Sequence, residues 1–380
     1  MKLLVLSDTQ LGSGQRLTDD RLGEQEAMLN GILDLADEEQ VDVILHLGDV
    51  FQQRHPSEEA RLVFRHFARR AYTSERRLMV CAGNHDLRNA ELPSAVDLYD
   101  CEFFRRPHIT EAGEVGIAFL PWTPPHLLRT TQNGADLNAA IAELLIETAR
   151  GLREQCGAGP AVLALHWAIS GSALPNGMAV EDLPEPVIPL DELVALGFDA
   201  VLGGHIHQSA VLQTDPLVLV AGTPWLNDWG EEGIEHGVWI IDPDALEDLP
   251  RFVPVPDRRF ATLDFSGDEV DVALTGVDVG FLGTVIADAS IRLRYTATEE
   301  QARRIDHGAL TRALLKTGAH RVAKIESTIL RADRARAEGL TEHVSDTDAF
   351  TRWLDVGGVP AGLHPLLRET HAEIVEEVGA

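Results

Sequence analysis

The chain has 380 residues, 44% of them hydrophobic, and a formal net charge of −29. That length suits two domains, or one large domain with an appendage, and the apolar share is enough for a sizeable core. The absence of any run of 18 apolar residues excludes a membrane-spanning helix, and Lys2 followed by only four apolar residues before Ser7 and Asp8 does not read as a signal peptide. Three cysteines (Cys81, Cys101, Cys156) make no disulfide framework, so a reducing cytoplasm is the expected compartment. A polyanion is repelled by nucleic acid, but the charge is uneven. From Ile291 to Leu340 eleven Lys and Arg stand against six acidic residues, giving +5 there and −34 over the rest. Such asymmetry points to different partners for different parts of the chain; an ordinary solvated surface on a small domain gives the same count.

In chain order, short apolar runs alternate with amphipathic helical stretches, the pattern of an α/β fold with buried strands. Strands are expected at Lys2–Leu6, Val41–Leu47, Arg77–Cys81, Val115–Phe119, Ala161–Leu165, Ala200–Leu202, Leu217–Ala221 and Gly237–Ile241. Between them, Leu29, Ile32, Leu33 and Ala36 keep helical spacing, as do Ala60, Val63, Phe64, Phe67, Ala68 and Ala71. Leu137, Ile141, Leu144, Leu145, Thr148 and Leu152 form a third stripe. After Ile241 the prolines of DLPRFVPVPDRRF predict an extended connector. A second unit follows: a strand in SIRLRYTA, one helix from Thr298 to Gly318 opened by a Thr298/Gln301 capping box, and a strand in HRVAKIESTILR. The tail beyond Gly357 carries a helical pattern with Pro365 at its start. Its default place is against its own domain; a partner's groove is the other.

The chemistry-bearing residues fall at strand ends. Asp8 follows the first strand and Asp49 the second; Asn84, His85 and Asp86 follow the third; His166 ends a fourth; His205 and His207 follow a fifth. The carboxyl ends of neighbouring strands converge on one sheet edge, where α/β proteins place ligands. Aspartate, asparagine and imidazole together suit Mn²⁺, Fe or Zn²⁺, and no cysteine takes part. The set is too large for one ion and sufficient for two that share a carboxylate. Singly, each piece has an ordinary explanation: Gly-Asp and Asn-His-Asp as turns, His-x-His as two faces of a strand, His46 as a satisfied core residue. Five in order, each on a strand end, point to a metal centre.

GDV, GNHD and GHIH in this order resemble the calcineurin-like metallophosphoesterases. RLGEQEAML, GDVFQQRHPS, GTPW…GEEGIEHGVWIID and VPVPDRRF narrow the resemblance to the SbcD/Mre11 nuclease branch. It covers roughly residues 1–260; the basic unit after it resembles that branch's capping domain by position and size. The resemblance implies a two-sheet metallophosphoesterase sandwich flanked by helices (1–260), a smaller α/β capping, DNA-binding domain (261–355) and a C-terminal helical segment (356–380). It implies two divalent ions, most readily Mn²⁺. Asp49 would bridge them; Asp8, Gln10 and His207 would complete one site, and Asn84, His166 and His205 the other. His85 would protonate the leaving oxygen while Asp86 holds its ring. Homodimerisation through helices near 58–72 and 94–105, and an SbcC/Rad50-type ATPase docked on residues 363–378, are implied as well.

Two positions depart from the family pattern. Gln10 stands where the family has histidine. Its carbonyl oxygen is a neutral, hard ligand, poorer for Zn²⁺ than imidazole and better tolerated by Mn²⁺ or Mg²⁺, so a weakened first site and a Mn²⁺-hungry enzyme are expected. The other outcome is a site that has lost one metal. Gln52 stands where some relatives use a histidine on the substrate phosphate; Arg54 and His55 lie close enough in sequence to take its place, or are ordinary loop residues. The leading function is a Mn²⁺-dependent DNA nuclease, 3′→5′ exonuclease and endonuclease, acting in DNA repair and recombination. The alternatives are an esterase for small phosphodiesters or phosphomonoesters, favoured by the acidic bulk, and a catalytically weak DNA-end-binding subunit.

Overall fold

The computed structural model of the chain describes residues 1–86, 101–124, 128, 135–246, 249–275, 277–330, 345–356 and 359–378. By contact density it divides into two units. The first comprises Met1–Ala261, Gly283–Arg292 and Thr317–Ala323; the second Thr262–Leu282, Leu293–Lys316 and Lys324–Ala380.

Two six-stranded sheets build the first unit. One has the order β14 (Arg251–Pro254), β13 (Gly237–Ile241), β1 (Leu3–Leu6), β2 (Val43–His46), β3 (Arg77–Cys81), β4 (Glu102–Phe104). The other runs β11 (Ala210–Thr214), β12 (Leu217–Val220), β10 (Ala200–Gly203), β7 (Ala161–Leu165), β6 (Val115–Leu120), β5 (His108–Ala112). The central strands are continuous apolar runs because both faces are covered. Alternate side chains of β1 part company: Leu4 and Leu6 join Ile44, Leu78 and Val80 under helices α1 (Arg21–Glu38) and α2 (Glu58–Thr73). Leu3 and Val5, with Val43, Leu45 and Met79, meet Ile117, Phe119, Val162 and Leu219 of the second sheet. That sheet's other face carries Leu163, Leu165, Val201 and Val218 against helix α3 (Ala135–Gln155). The result is a four-layer α-β-β-α sandwich, with each buried Leu or Val worth about 1.5–3 kcal/mol.

Every expected strand of this unit forms, with ends shifted by at most two residues. The stripes of α1 and α2 are buried as spaced, with Ser57 capping α2 by accepting from the Ala60 N–H at 3.2 Å. In α3 the stripe is corrected: Ile146 and Ala149 are buried, whereas Leu144 is exposed. The connector after Ile241 is also not wholly a connector, since Arg251–Pro254 adds to the sheet edge antiparallel to β13. Proline is compatible with an edge, where one side of the strand needs no donor. Of the helix expected near 94–105, residues 94–100 lie outside the described residues, and Glu102–Phe104 is a strand paired with β3.

The second unit holds most of a three-stranded sheet, order β15 (Phe260–Ser266), β16 (Ser290–Thr298), β17 (Arg321–Leu330). The single helix expected here is two: α5 (Glu299–Arg304) and α6 (His307–Thr317). The break is chemical. Asp306 accepts from the Gly308 and Ala309 N–H groups at 2.8 and 3.0 Å, starting a new helix, while Ile305 is extended. The Thr298/Gln301 capping box is present. Helices α7 (Asp346–Val356) and α8 (His364–Val378) also belong to this unit, with Phe350 stacked on His371 at 4.1 Å.

Candidate metal centre

Strand register assembles the site. Leu6 lies beside His46 and His46 beside Val80, so the parallel strands β1, β2 and β3 end level. In the second sheet Leu120, Leu165, Gly203 and Val220 end level in the same way. Each candidate ligand sits just past one of these ends. The turns that carry them are tight: Asp8, Gln10, Asp49 and His205 all take positive φ, at 51°, 39°, 54° and 77°. Left-handed backbone at a non-glycine residue costs on the order of 1–3 kcal/mol, and four such residues gather here. Backbone bonds lock the turns together, from Asp8 N–H to Gly48 C=O and from Gln10 N–H to Asp49 C=O, both at 2.9 Å.

Close packing around the cluster demands glycine, as two positions show. A Cβ on Gly83 would collide with the Asp49 carboxylate and backbone nitrogen. One on Gly204 would meet Ser7 Oγ, and the Leu47 carbonyl and His166 Nδ1 at 2.8 and 2.9 Å.

One oxygen of Asp8 is fully engaged: Oδ2 accepts from the Ser7 hydroxyl at 2.5 Å and the His205 N–H at 2.9 Å. Its Oδ1 is buried and has no hydrogen-bond partner. A buried carboxylate oxygen without a donor is costly unless something positive faces it. Ligand atoms of Asp8, Asp49 and His166 lie within 4.8 Å of one another, a spacing a metal ion can fill.

Each of the three histidines is held from outside by one ring nitrogen. His166 Nδ1 donates to the Leu47 carbonyl at 2.7 Å; His205 Nε2 donates to Glu185 at 2.8 Å; His207 Nδ1 donates to Glu231. The remaining nitrogens face the cluster, where a bound cation would take the place of any proton they carry. His166 Nε2 and His205 Nδ1 approach Asn84 Oδ1 at 3.1 and 3.2 Å, and His207 Nε2 lies 3.7 Å from Asp8 Oδ1. An outer acceptor that fixes the tautomer and orients the ring is the usual companion of a metal-binding histidine. Glu185 lies on a loop outside every motif, 20 residues from His205; Glu231 ends the helical turn Trp229–Glu231 inside the GEEGIEH stretch, 24 residues from His207, and nothing local there assigns it that partner.

The electrostatics agree. Burial alone would raise the Asp49 carboxyl, but the neighbouring His166 and His85 rings hold it down at about 2. Burial alone would lower His166; Asp49 and Asp8 outweigh it and lift the ring to about 9. His207 is lifted to about 9 against burial by Glu231 and Asp8. Carboxylates that draw protons onto two imidazoles make a site that favours positive charge. His46, by contrast, is kept neutral down to about 3 by burial, and is satisfied by Thr9 and the Gly48 N–H at 3.0 and 3.2 Å.

Gln10 is in the cluster with its amide nitrogen, not its oxygen, toward the site: Nε2 lies 3.0 Å from His207 Nε2. His85 directs Nδ1 at the Gln52 carbonyl at 2.6 Å, which leaves Nε2 3.7 Å from Asp49 Oδ2 on a ring 30% exposed. The expected hold of Asp86 on His85 is corrected. The Asp86 carboxylate accepts instead from the backbone N–H groups of Asp49, Val50 and Gly83 at 2.7, 3.0 and 2.9 Å. Burial and the adjacent Asp49 raise it to about 7, against the pull of those donors. Asp86 is thus a clamp on the loops that carry Asp49 and Asn84. Gln52 Oε1 is buried without a partner, whereas Arg54 and His55 are exposed.

A family model described as calcineurin-like phosphoesterase matches residues 1–209. The DNA double-strand break repair protein Mre11 of Saccharolobus solfataricus is 26% identical, over 66% of this chain and 62% of its own. The SbcD subunit of the SbcCD nuclease of Rhodobacter capsulatus is 28% identical over 67% of this chain and 69% of its own. The Mre11 of Sulfurisphaera tokodaii is 33% identical over 73% and 63%. The chain thus spans less than two thirds of the two Mre11 proteins. A solved dimetal phosphatase from Danio rerio superposes with a TM-score of 0.41 at 10% identity, over 63% of this chain and 91% of that one. With the family model matching 209 of its 380 residues, the chain belongs to the calcineurin-like phosphoesterases, hydrolases of phosphate esters that use divalent metal ions.

Proposed function

We propose that this chain is a DNA nuclease of the SbcD/Mre11 type, a 3′→5′ exonuclease and endonuclease working with two divalent ions, most readily Mn²⁺. The observation that carries the proposal is the convergence of three histidine ring nitrogens, each ring fixed by an outer acceptor, on Asp8, Asp49 and Asn84. The names of the Mre11 and SbcD relatives support DNA as the substrate. In this reading Asp49 would serve both ions, Asp8, Gln10 and His207 would hold one, and Asn84, His166 and His205 would hold the other.

Ions held there supply an acidified water and neutralise the charge gathering on the phosphoryl oxygens. The chain's own residues do the rest. Asp86 fixes the backbone of Asp49. His85, with Nδ1 committed to the Gln52 carbonyl, keeps Nε2 toward the site, placed to pass a proton to the leaving oxygen. Gln10 would hold its ion through the amide carbonyl, a weaker ligand than imidazole, which would give a weaker first site and a demand for Mn²⁺. Gln52, Arg54 and His55 border this edge and contact the substrate phosphate.

Residues 261–355, which hold the whole basic stretch, form the capping domain that meets DNA, and 356–380 the docking segment for an SbcC/Rad50-type ATPase. Support for the latter is the exposed apolar face of α8, where Leu366 and Ile374 are 60% and 53% exposed. A homodimer in the cytoplasm completes the proposal; among the described residues no helix is long and apolar enough to cross a membrane.

Cleavage of end-labelled single- and double-stranded DNA across a Mn²⁺ titration tests the reading, with Asp49→Ala as the inactive control. Metal-dependent cleavage by the natural chain supports it. The Gln10 amide nitrogen facing His207 favours a second reading, a weakened DNA-end-binding subunit. That reading predicts no cleavage at any Mn²⁺ concentration, together with binding that falls steeply with salt. Neither cleavage nor binding, with hydrolysis of a small phosphodiester, points to the small-substrate esterase.

A further inference from the structure

The three histidines are held from outside by unlike acceptors: a neutral carbonyl, a partly exposed Glu185 and a buried Glu231 whose side chain is only 4% exposed. The buried carboxylate falls on His207, the histidine that shares its half of the site with Gln10. We infer that Glu231 is a positioning residue that keeps a second ion bound at a site one imidazole short. The inference rests on the two-ion reading above.

The geometry is specific. Glu231 Oε2 accepts from the Asn227 N–H at 2.6 Å, and its Oε1 accepts from His207 Nδ1. Both oxygens must be acceptors, which only a carboxylate provides. Its charge makes the His207 Nε2 lone pair a stronger donor to metal, offsetting the weak carbonyl of Gln10. The same loop holds Asp8, for Asn227 Nδ2 and Thr223 Oγ1 reach the Asp8 carbonyl at 3.3 and 3.0 Å.

Glu231→Gln reverses this logic. The Asn227 N–H demands the one remaining oxygen, so the new NH₂ faces His207 Nδ1 and forces it to accept. The ring must then carry its proton on Nε2, where the metal would bind.

The test has two readouts on the full-length protein. Two-bond ¹H–¹⁵N spectra of the metal-free chain at about pH 10, where the ring is neutral, report the His207 tautomer, and Mn²⁺ binding followed by electron paramagnetic resonance counts ions and their stepwise affinities. Nδ1–H is expected in the natural chain and Nε2–H in Glu231→Gln, with the weaker Mn²⁺ step lost by about tenfold or more and the tighter one unchanged. Glu231→Asp retains the carboxylate and is expected to keep the Nδ1–H form with a smaller loss. An unchanged tautomer in Glu231→Gln, equal weakening of both steps, or equal losses in the Gln and Asp variants would overturn the inference. Should Glu231→Gln not fold, Glu231→Asp decides alone: an Nε2–H ring there overturns it. A natural chain that binds fewer than two Mn²⁺ refutes the two-ion reading instead, while the tautomer spectra still judge Glu231.

Discussion

Removing Asp86 is expected to unfasten the metal-bearing loops before it touches proton transfer. The carboxylate is fully buried, and two of its three amide bonds, from Asp49 and Gly83, converge on Oδ2, while Val50 bonds Oδ1. Asp86→Asn keeps one oxygen, which satisfies two amides and leaves the Val50 N–H facing an NH₂. One buried donor without a partner costs about 1–3 kcal/mol. Asp86→Ala leaves three, about 3–9 kcal/mol on the same scale, comparable with the whole stability of an ordinary domain at about 5–15 kcal/mol. Urea unfolding of the metal-free protein should therefore rank natural chain, Asn variant and Ala variant in that order, with a clear gap at each step. Mn²⁺ affinity should fall in parallel, since Asp49 is carried on the clamped backbone. If the Asn variant unfolds within about 0.5 kcal/mol of the natural chain, or the Ala variant is no worse than the Asn variant, the clamp assigned to Asp86 is wrong.

Gln10→His should restore an imidazole to the first site and lower the Mn²⁺ concentration for half-maximal cleavage by about tenfold; an unchanged Mn²⁺ dependence would contradict Gln10 as a working ligand. Gly83→Ala drives a Cβ into Asp49, so Mn²⁺ binding should be lost by titration calorimetry; retained affinity would show that the Asp49 loop has room to move. Arg21 is buried against Asp257, with NH1 to Oδ1 at 2.7 Å and NH2 to Oδ2 at 2.9 Å. Arg21→Ala should therefore cost about 3–5 kcal/mol in urea unfolding by leaving a poorly solvated carboxylate unpaired. His46 stays neutral in the fold down to about pH 3, whereas an unfolded histidine takes its proton near 6.5. Stability is therefore lost as pH falls below about 6.5, by about 1.4 kcal/mol per unit from this residue, and His46→Asn should flatten that slope. Parallel slopes in the two proteins would refute it.

Sequence carried most of the first unit because its strands are buried on both faces. Runs such as Leu3–Leu6 and Ala161–Leu165 have no polar interruption, and each ends where a chemistry-bearing residue begins. The edge strands Glu102–Phe104, His108–Ala112 and Ala210–Thr214 escaped, since half-exposed strands lose that continuity. Arg251–Pro254 was hidden by its prolines, and the break at Ile305–Asp306 by a helical stripe that runs on across it. The ligand candidates were legible from residue type and strand-end position. Their supports were not: Glu185 and the amides around Asp86 are brought in by tertiary structure and leave no local pattern, and Glu231, though inside the GEEGIEH stretch, meets His207 only in the fold. The direction of the Gln10 amide likewise depends on His207, 197 residues away.

Anomalous diffraction at the manganese edge, from crystals of the full-length chain equilibrated with Mn²⁺, tests the central claim most directly. Two peaks are predicted, both ligated by Asp49, one shared with Asp8, Gln10 and His207 and the other with Asn84, His166 and His205. No peak at this sheet edge, or peaks that leave Asp49 unligated, would contradict the account.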